Sequence, residues 1–296
     1  MRVVVTGAAG FLGSHVADGL AAAGHEVSVL DVQPSTRHRS VVADFLDPEA
    51  LRRAIAGHDA ICHLGAVGDV YLAGEKPALA AAVNVVGTAN VCAAALAEGL
   101  KRVVVASTWE VYGEPHYQPL DEKHPCDPDH PYSITKLAGE RIARSYAHLK
   151  GLPVVALRLG TAFGTRMRPN SVFSIFIRRA LAGEPITIQG SGLQGRQFTH
   201  ASDIARGFEA ALTRGVSGEA YNLVADRMVS IRELAELVTA VAPTTLTYGE
   251  PRPGEVPSAI VSSARAHADL GWTARMDFAA GLRELVDEAR TAKARP

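Results

Sequence analysis

The sequence predicts an α/β protein with a doubly wound parallel sheet as its core, followed by a smaller α+β lobe. Three observations predict this class. Short Val/Ile/Leu-rich runs alternate with longer runs of helix-forming residues, a glycine-rich turn follows the first short run, and the rhythm changes near Gly160. Because the short runs are apolar throughout, we expect parallel strands that are buried on both faces.

The first lobe is predicted to span residues 1–160. Glycines stand just past the ends of its predicted helices, where a left-handed residue commonly terminates a helix. The predicted strands are Arg2–Thr6, Glu26–Leu30, Ala60–Leu64, Arg102–Ser107 and Val154–Leu159. The predicted helices are Phe11–Ala23, Pro48–Ala56, Pro77–Ala97 and Tyr132–Leu149.

The second lobe is predicted to span residues 161–296 and to share a cleft with the first. Helical patterns dominate it, with two short strand candidates between them. The predicted helices lie near Val172–Ala182, Ser202–Leu212, Ser230–Val241 and Ala279–Ala289, and the strands at Ile186–Gln189 and Tyr221–Val224. A loop rich in Pro, Thr and Gly covers Ala242–Pro257.

Charge and cysteine content narrow the range of partners. The chain of 296 residues has 30 Lys and Arg against 31 Asp and Glu, a net charge of −1. Without an overall field to attract phosphates, neither nucleic acid nor a membrane surface is expected as a partner. The three cysteines form no CxxC pair, so we predict no disulfide framework and no metal site. A cytoplasmic protein without a signal peptide is expected, because strand residues begin at Arg2.

One segment is long enough to cross a membrane. Ala78–Ala97 contains no formal charge over 20 residues. It consists mostly of alanine and includes Asn84, Thr88 and Asn90, so it is much less lipophilic than a typical span. We predict a buried helix, whose small side chains also suit a contact between subunits.

The glycine-rich turn predicts a dinucleotide site. Gly7, Gly10 and Gly13 follow the first strand and open the first helix. A pyrophosphate needs backbone N–H groups at close range, here including those of Phe11 and Leu12, and a Cβ on the closest glycine would block it. This arrangement is typical of Rossmann-type folds.

An acid at the end of the second strand favours NAD over NADP. Asp31 stands where a carboxylate accepts hydrogen bonds from the ribose hydroxyls and repels a 2′-phosphate. Arg37 and Arg39 nearby speak for NADP. Asp44 and Phe45 are candidates for the adenine edge, although Asp44 suits a turn before the next helix equally well.

A tyrosine and a lysine one helical turn apart are the candidate catalytic pair. Tyr132 and Lys136 share one helix face, and an ammonium beside a phenol favours the phenolate, which can take a proton from an alcohol. Spacing alone is weak support. The catalytic interpretation of this spacing is strengthened by Ser107 and Thr108 at the end of the fourth predicted strand. One of these two hydroxyls is expected to bind the reacting oxygen.

Taken together, these motifs resemble the extended short-chain dehydrogenase/reductase family, in its nucleotide-sugar epimerase/dehydratase branch. The resemblance covers essentially the whole chain. The motifs of the first lobe are TGAAGFLG from Thr6, HLGA from His63, NVVGT from Asn84, STWEVYG from Ser107 and PYSITK from Pro131. Those of the second lobe are GRQFTHASDIA from Gly195, YNLV from Tyr221, RPGE from Arg252 and LGW from Leu270.

The resemblance implies NAD in the first lobe, a nucleoside diphosphate sugar in the second, and oxidation at the sugar C4 as the first step. It implies that Tyr132 is the base, that Lys136 binds the ribose, and that Thr108 contacts the sugar O4. Arg196 and Arg252 resemble family arginines near the diphosphate. Further cofactor contacts are implied for Leu64, Gly65, Ala66 and Asn84. Relatives are commonly homodimers joined by the helices that correspond to Pro77–Ala97 and Tyr132–Leu149.

Two departures from the family pattern affect the expected reaction. Thr161 stands where an Asn commonly contacts the sugar phosphate. Trp109 stands between Thr108 and Glu110, where 4,6-dehydratases have an Asp as acid, and an indole cannot donate a proton in that way. The leading hypothesis is therefore a nucleotide-sugar 4-epimerase. The alternatives are a dehydratase or a uronate decarboxylase using Glu110, or a net NAD-dependent oxidoreductase.

Overall fold

The computed structural model describes residues 1–251 and 258–293. Its strands are short, and most are buried. They are β1 (Arg2–Thr6), β2 (Glu26–Asp31), β3 (Arg39–Val42), β4 (Ala60–His63), β5 (Arg102–Thr108), β6 (Val154–Leu159), β7 (Thr161–Phe163), β8 (Ile186–Gln189), β9 (Gly195–Arg196), β10 (Phe198–His200), β11 (Ala220–Leu223), β12 (Val229–Ser230) and β13 (Leu246–Gly249).

The helices connect these strands and cover the main sheet. They are α1 (Phe11–Ala22), α2 (Pro48–Ile55), α3 (Val70–Glu75), α4 (Pro77–Ala81), α5 (Gly87–Ala97), α6 (Pro131–Lys150), α7 (Val172–Ala182), α8 (Ala201–Arg214), α9 (Ile231–Val241), α10 (Ala264–Leu270) and α11 (Phe278–Lys293). A π-helical turn, Ala82–Val86, joins α4 to α5, and a 3-10 turn, Trp109–Tyr112, follows β5.

Seven parallel strands form the central sheet in the order β11-β6-β5-β4-β1-β2-β3. The chain moves outward from β1 through β2 to β3, and then returns to place β4 on the other side of β1. The order therefore reverses between β1 and β4, and in such sheets the ligand crevice lies beyond the carboxyl ends of these strands. The predicted fold class, a doubly wound Rossmann-type sheet, is confirmed.

Each face of the sheet has its own apolar core. On one face, Val16 and Leu20 of α1 pack with Phe208 of α8, and on the other Leu51 of α2 packs with Val91 of α5. Burying one such side chain contributes about 1.5–3 kcal/mol. Because helices cover both faces, the strands need apolar residues at every position, which explains their continuous hydrophobic runs.

The uncharged segment forms one continuous helical rod from Pro77 to Ala97. Among the described residues it is the one helix long and apolar enough to span a membrane, but here it packs against α2 and α6. Its π turn contains Asn84, whose carbonyl lies so close to α6 that a Cβ on Gly139 would come within 2.4 Å of it. Packing against neighbouring helices agrees with the predicted core helix.

The second lobe has a separate apolar core centred on four phenylalanines. The rings of Phe163 and Phe173 stack at 5.2 Å, and Phe198 and Phe278 pack around them. Three small two-stranded sheets, β10-β7, β12-β9 and β13-β8, border this core.

The two lobes interlock along the chain. Both β11, which extends the central sheet beyond β6, and α8, which packs on α1, come from residues after 160. The first lobe therefore includes segments from the second half of the sequence. The predicted division at residue 160 stays a prediction.

Candidate active site

The glycine turn after β1 fits a pyrophosphate. Gly7 has φ +70°, and a Cβ there would lie 2.6 Å from the backbone nitrogen of Gly65. At Gly13 a Cβ would lie 2.2 Å from the carbonyl oxygen of Gly7. Gly10 is the N-cap of α1, and within the described part of the chain no side chain caps this helix. The N–H groups of its first turn, which include Phe11 and Leu12, are thus available to an anion.

Asp31 is placed beside this turn at the end of β2. Its carboxylate accepts hydrogen bonds from the backbone N–H of Ala9 at 3.0 Å and of Gln33 at 3.1 Å. These contacts fix an acid where the ribose of a dinucleotide is expected. The guanidinium of Arg37 is turned toward Asp18, at 2.7 Å, so it is already bound to an acid. The residues present therefore fit NAD.

Asp44 and Phe45 both have contacts within the protein. Asp44 Oδ1 accepts from the N–H of Leu46 at 2.8 Å, which is the turn that the sequence offered as one alternative. The ring of Phe45 fills the space beside two glycines, where a Cβ on Gly65 or Gly87 would come within 2.5 or 2.4 Å of it. Phe45 thus supports the loop that carries Gly65.

The loop after β4 is held by buried polar side chains. Thr6 Oγ1 accepts from the N–H groups of Leu64 and Gly65, at 3.2 and 3.1 Å, and Ala66 follows them. Asn84 reaches the same loop: its amide bonds both the N–H and the carbonyl of Val67, at 2.8 and 3.2 Å. The structure thus gives Asn84 a direct part in positioning the loop that borders the dinucleotide crevice.

Three residues at the end of β5 and the start of α6 form the candidate catalytic centre. The phenol of Tyr132 is hydrogen-bonded to the hydroxyl of Thr108. Lys136, one turn further along α6, donates from Nζ to the carbonyl of Ala106 at 2.6 Å. His130 begins the helix by accepting the N–H of Tyr132 at 3.1 Å, and Pro131 suits its first turn.

Burial shifts the pKa of both members of this pair. It raises the pKa of Tyr132 above its usual range, and the nearby Glu110 adds to this, whereas the hydrogen bond from Thr108 opposes it. Burial lowers the pKa of Lys136 to about 8, against the opposing effect of Glu140. Perturbed groups of this kind at the carboxyl edge of a sheet are typical of acid–base sites.

The structure separates the two hydroxyl candidates at the end of β5. Thr108 faces Tyr132, whereas the hydroxyl of Ser107 donates to Glu140 at 2.6 Å and is buried. Neighbouring residues of a strand point to opposite sides, which explains the different partners. Thr108 is therefore the one placed to bind a reacting oxygen.

Glu110 and Trp109 lie in the 3-10 turn that follows Thr108. Glu110 is half-buried, and burial raises its pKa, opposed by the charge of Arg196. Trp109 is 8% exposed and packs with Val224 and Val261. The turn therefore brings one acid and one large apolar side chain to the cleft.

The predicted substrate residues lie on the other side of this turn. Thr161 and Arg196 line a small cavity together with Trp109. Thr161 begins β7, and Arg196 ends β9, so both are carried by the small sheets of the second lobe. Arg252 lies outside the described residues.

Two residues beneath the site were missed by the sequence reasoning. Glu140 of α6 and Arg158 of β6 form a buried ion pair, with Nη2 to Oε1 at 2.7 Å and Nε to Oε2 at 3.1 Å. Glu140 lies four residues after Lys136, on the same helix face, which was the available signal. Its partner is visible only in three dimensions.

A second contact missed by the sequence reasoning joins the loop after β7 to the start of α3. Arg168, on the loop after β7, binds Asp69, the N-cap of α3, at 2.5 Å. The charge of Arg168 also acts on Tyr132, whose pKa it lowers, although burial is the larger effect. This ion pair joins the second lobe to the first beside Tyr132.

Comparisons with known proteins agree with this geometry. Residues 3–223 match the model of the NAD dependent epimerase/dehydratase family. The chain is 32% identical to a UDP-glucose 4-epimerase of Mycolicibacterium smegmatis, over 97% of this chain and 98% of that protein. It is 31% identical to a dTDP-glucose 4,6-dehydratase of Streptomyces griseus, over 96% of this chain and 93% of that protein.

A solved structure is similar to this chain over essentially its whole length. MoeE5, crystallised with UDP-glucose and NAD, superimposes with a TM-score of 0.91 and is 32% identical, covering 99% of this chain and 100% of that one. The predicted resemblance and the predicted cofactor, NAD, are confirmed. A glycine turn shaped for a pyrophosphate, an acid for the ribose and a Thr/Tyr/Lys centre thus accompany a match over most of the sequence, and the chain belongs to the NAD-dependent epimerase/dehydratase family.

Proposed function

We propose that the protein is a nucleotide-sugar 4-epimerase in which Tyr132 is the base. The glycine turn and Asp31 would hold NAD, whose chemistry when bound would be the reversible removal of a hydride from C4 of the sugar. Around that exchange, Tyr132 takes the proton of the C4 hydroxyl and later gives it back, while Thr108 holds the oxygen by a hydrogen bond. The nucleoside diphosphate would lie against Arg196 and Arg252, since arginine forms bidentate contacts with phosphates.

Lys136 has two tasks in this proposal. As an ammonium one helical turn from Tyr132, it would favour the phenolate, whereas burial favours the neutral phenol. Its Nζ, which donates to the carbonyl of Ala106 in this structure, would also bind the ribose of NAD. Both tasks require the protonated form of Lys136.

The observation that favours an epimerase over a dehydratase is the presence of Trp109 between Thr108 and Glu110. Dehydration of the sugar needs an acid to protonate the leaving C6 hydroxyl, and the residue between Thr108 and Glu110 is an indole packed among apolar side chains. With no proton donor at this place, return of the hydride to C4 is the simplest outcome.

Glu110 supports a second candidate, a lyase that acts at C5. Because burial raises its pKa, this acid keeps its proton to a higher pH than a free carboxyl group does, which suits a role in proton transfer. The two candidates separate when the purified protein is incubated with UDP- and dTDP-linked hexoses and uronates and the products are read by NMR. C4 inversion alone supports the epimerase, whereas CO₂ or a 4-keto-6-deoxy sugar supports the lyase. Accumulation of NADH overturns both in favour of a net oxidoreductase.

The kcat of a Glu110→Gln variant also distinguishes the epimerase from the lyase. For an epimerase we expect kcat for C4 inversion to stay within about fivefold, because the base and the hydroxyl binder remain, whereas a lyase should lose about a hundredfold or more. Steady-state kinetics on the preferred substrate measures this. Glu114→Gln, four residues further on at an exposed position, is the control and should leave kcat unchanged.

We also propose that the protein is a homodimer through α4, α5 and α6. Val86 is 53% exposed and Ile134 46% exposed, on helical segments that pack against each other. Exposed apolar side chains on adjacent helices are typical of subunit interfaces. A location in the cytoplasm stays a prediction.

Sedimentation velocity tests the dimer. The wild-type protein should sediment with twice the mass of one chain, and a Val86→Asp/Ile134→Asp variant with the mass of one, because two carboxylates would be buried at each contact. Val216→Asp, at a similarly exposed valine between α8 and β11 (50%), should remain dimeric. A monomeric wild-type protein would contradict the proposal.

A further inference from the structure

The end of β5 is fastened to α6 at three consecutive residues. The carbonyl of Ala106 accepts from Lys136 at 2.6 Å, the hydroxyl of Ser107 donates to Glu140 at 2.6 Å, and Thr108 bonds Tyr132. The three helix residues are spaced by four, so they share one face of α6. Each step along the strand therefore has its own partner along the helix.

Glu140 is a fully buried partner, and an arginine of the neighbouring strand β6 holds its carboxylate. Its side chain is fully buried, and both of its oxygens accept from the guanidinium of Arg158, whose own side chain is 4% exposed. Arg158 is held in turn by the hydroxyl of Tyr112 at 2.9 Å, and its guanidinium lies 4.9 Å from the centre of that ring. Tyr112 donates to Asn222 at 2.7 Å. The carboxylate thus has one defined position.

Stability alone does not account for a buried ion pair. The cost of removing two charges from water commonly exceeds their attraction, and apolar residues of similar size are often as stable. What the pair provides here is a fixed negative charge one turn beyond Lys136 and a fixed acceptor for Ser107. Both contacts lead directly to the catalytic centre.

Among the described residues, Glu140 is the acid whose charge acts on Lys136, and the two lie on the same face of α6. His63 on β4 is neutral near pH 7, because burial lowers its pKa to about 3. Across the part of the chain that the structure describes, the charged and titratable groups that act on Lys136 or Glu140 from the packed elements are His63, Cys126, Arg144 and Arg158. Tyr132 lies one turn before Lys136 on the same helix, and Tyr112 contacts Arg158.

We propose that Glu140 is a positioning residue for the reaction: held by Arg158, it fixes Thr108 opposite Tyr132 through Ser107 and places a negative charge one helical turn beyond Lys136. This inference rests on the proposed function only in taking Tyr132 as the base. It applies equally to an epimerase and to a lyase that begins with oxidation at C4.

The first test removes both charges together, because Glu140→Gln alone would leave Arg158 buried and unpaired. In Glu140→Gln/Arg158→Met, we expect kcat to fall by about ten- to a hundredfold, with KM within about twofold. The basic limb of the kcat–pH profile should move down by about one pH unit, because Lys136 loses its proton more readily without the carboxylate.

A direct readout does not depend on turnover. The titration of Lys136 is followed by NMR of ¹³C-labelled lysine, with its signal assigned by loss in Lys136→Arg. Its midpoint should fall by about one pH unit in the double variant. Tyr146→Phe is the matched control: it removes the hydroxyl of a half-buried tyrosine ten residues after Lys136 on the same helix, so it should move neither the kcat–pH profile nor the Lys136 midpoint.

Ser107→Ala removes only the hydrogen bond through which Glu140 positions the end of β5. It also provides a second variant in case the double variant does not fold. We expect kcat to fall about tenfold, an unchanged Lys136 midpoint, and recovery to within about threefold in Ser107→Thr, which restores the hydroxyl. A folded double variant with wild-type kcat and an unmoved Lys136 midpoint overturns the inference. Absence of turnover from the wild-type protein on every nucleotide sugar would instead overturn the proposed function, while the Lys136 midpoint still decides the inference.

Discussion

Tyr132→Phe should lose about a thousandfold in kcat and retain NAD binding, because a phenyl ring can neither take nor return the proton of the sugar hydroxyl. The substitution removes one oxygen from a half-buried side chain, and its one hydrogen-bond partner in the site, Thr108, is left able to bond substrate. Binding of NAD, measured by calorimetry, should change little, since the glycine turn and Asp31 remain. The loss should therefore be in turnover.

The control for this variant lies on the same helix. Tyr146 is also half-buried on α6, and its ring packs against the core between the sheet and this helix. Tyr146→Phe should keep kcat within about twofold, because it removes a hydroxyl remote from the site. Near-wild-type kcat in Tyr132→Phe would remove this residue from the role of base, whatever the product.

Gly7→Ala should abolish measurable binding of NAD, with a loss in affinity of about a hundredfold or more. The added Cβ would come within 2.6 Å of the backbone of Gly65, and an alanine is also strained at φ +70°. Because the obstacle is backbone, the turn itself must shift, and the N–H groups of α1 move with it. Fluorescence titration with NAD measures the loss.

Gly24→Ala separates strain from collision. Gly24 has φ +87°, so an alanine is strained there as well, but no atom of residues 1–251 or 258–293 lies within 4 Å of the added Cβ. We expect a melting temperature lower by about 2–4 °C and unchanged NAD affinity. If both variants bound NAD as the wild type does, the turn after β1 would not be the pyrophosphate site.

The sequence predicted those parts of the structure that are determined locally. Continuous apolar runs identified the buried strands, and the glycines identified the turn after β1, where a Cβ has no room. β3 and α3 were not predicted as elements, and β13 lies within the segment Ala242–Pro257 that was predicted as a loop. β3 is a half-exposed strand at the sheet edge, so it lacks an apolar run, and α3 has only six residues. Such elements depend on the fold around them.

The candidate site likewise contains features that the local sequence predicts and features that depend on the surrounding fold. The spacing of Tyr132 and Lys136 gives their shared helix face without further information. Which of Ser107 and Thr108 faces the cleft depends on the direction of each side chain at the strand end, and the sequence left this open. The pairing of Glu140 with Arg158 joins a helix to a neighbouring strand, and no local pattern encodes a contact of that kind.

The late arrival of β11 has a consequence for biosynthesis. This strand completes the sheet next to β6, yet it is made more than 60 residues after β6. Until it leaves the ribosome, β6 presents an unpaired edge of buried, apolar residues, which is the kind of edge that pairs with other chains. Residue 160 is thus no stopping point for a folded intermediate. The newly made chain must finish both halves before the first can be protected, and a truncated product would be prone to aggregate.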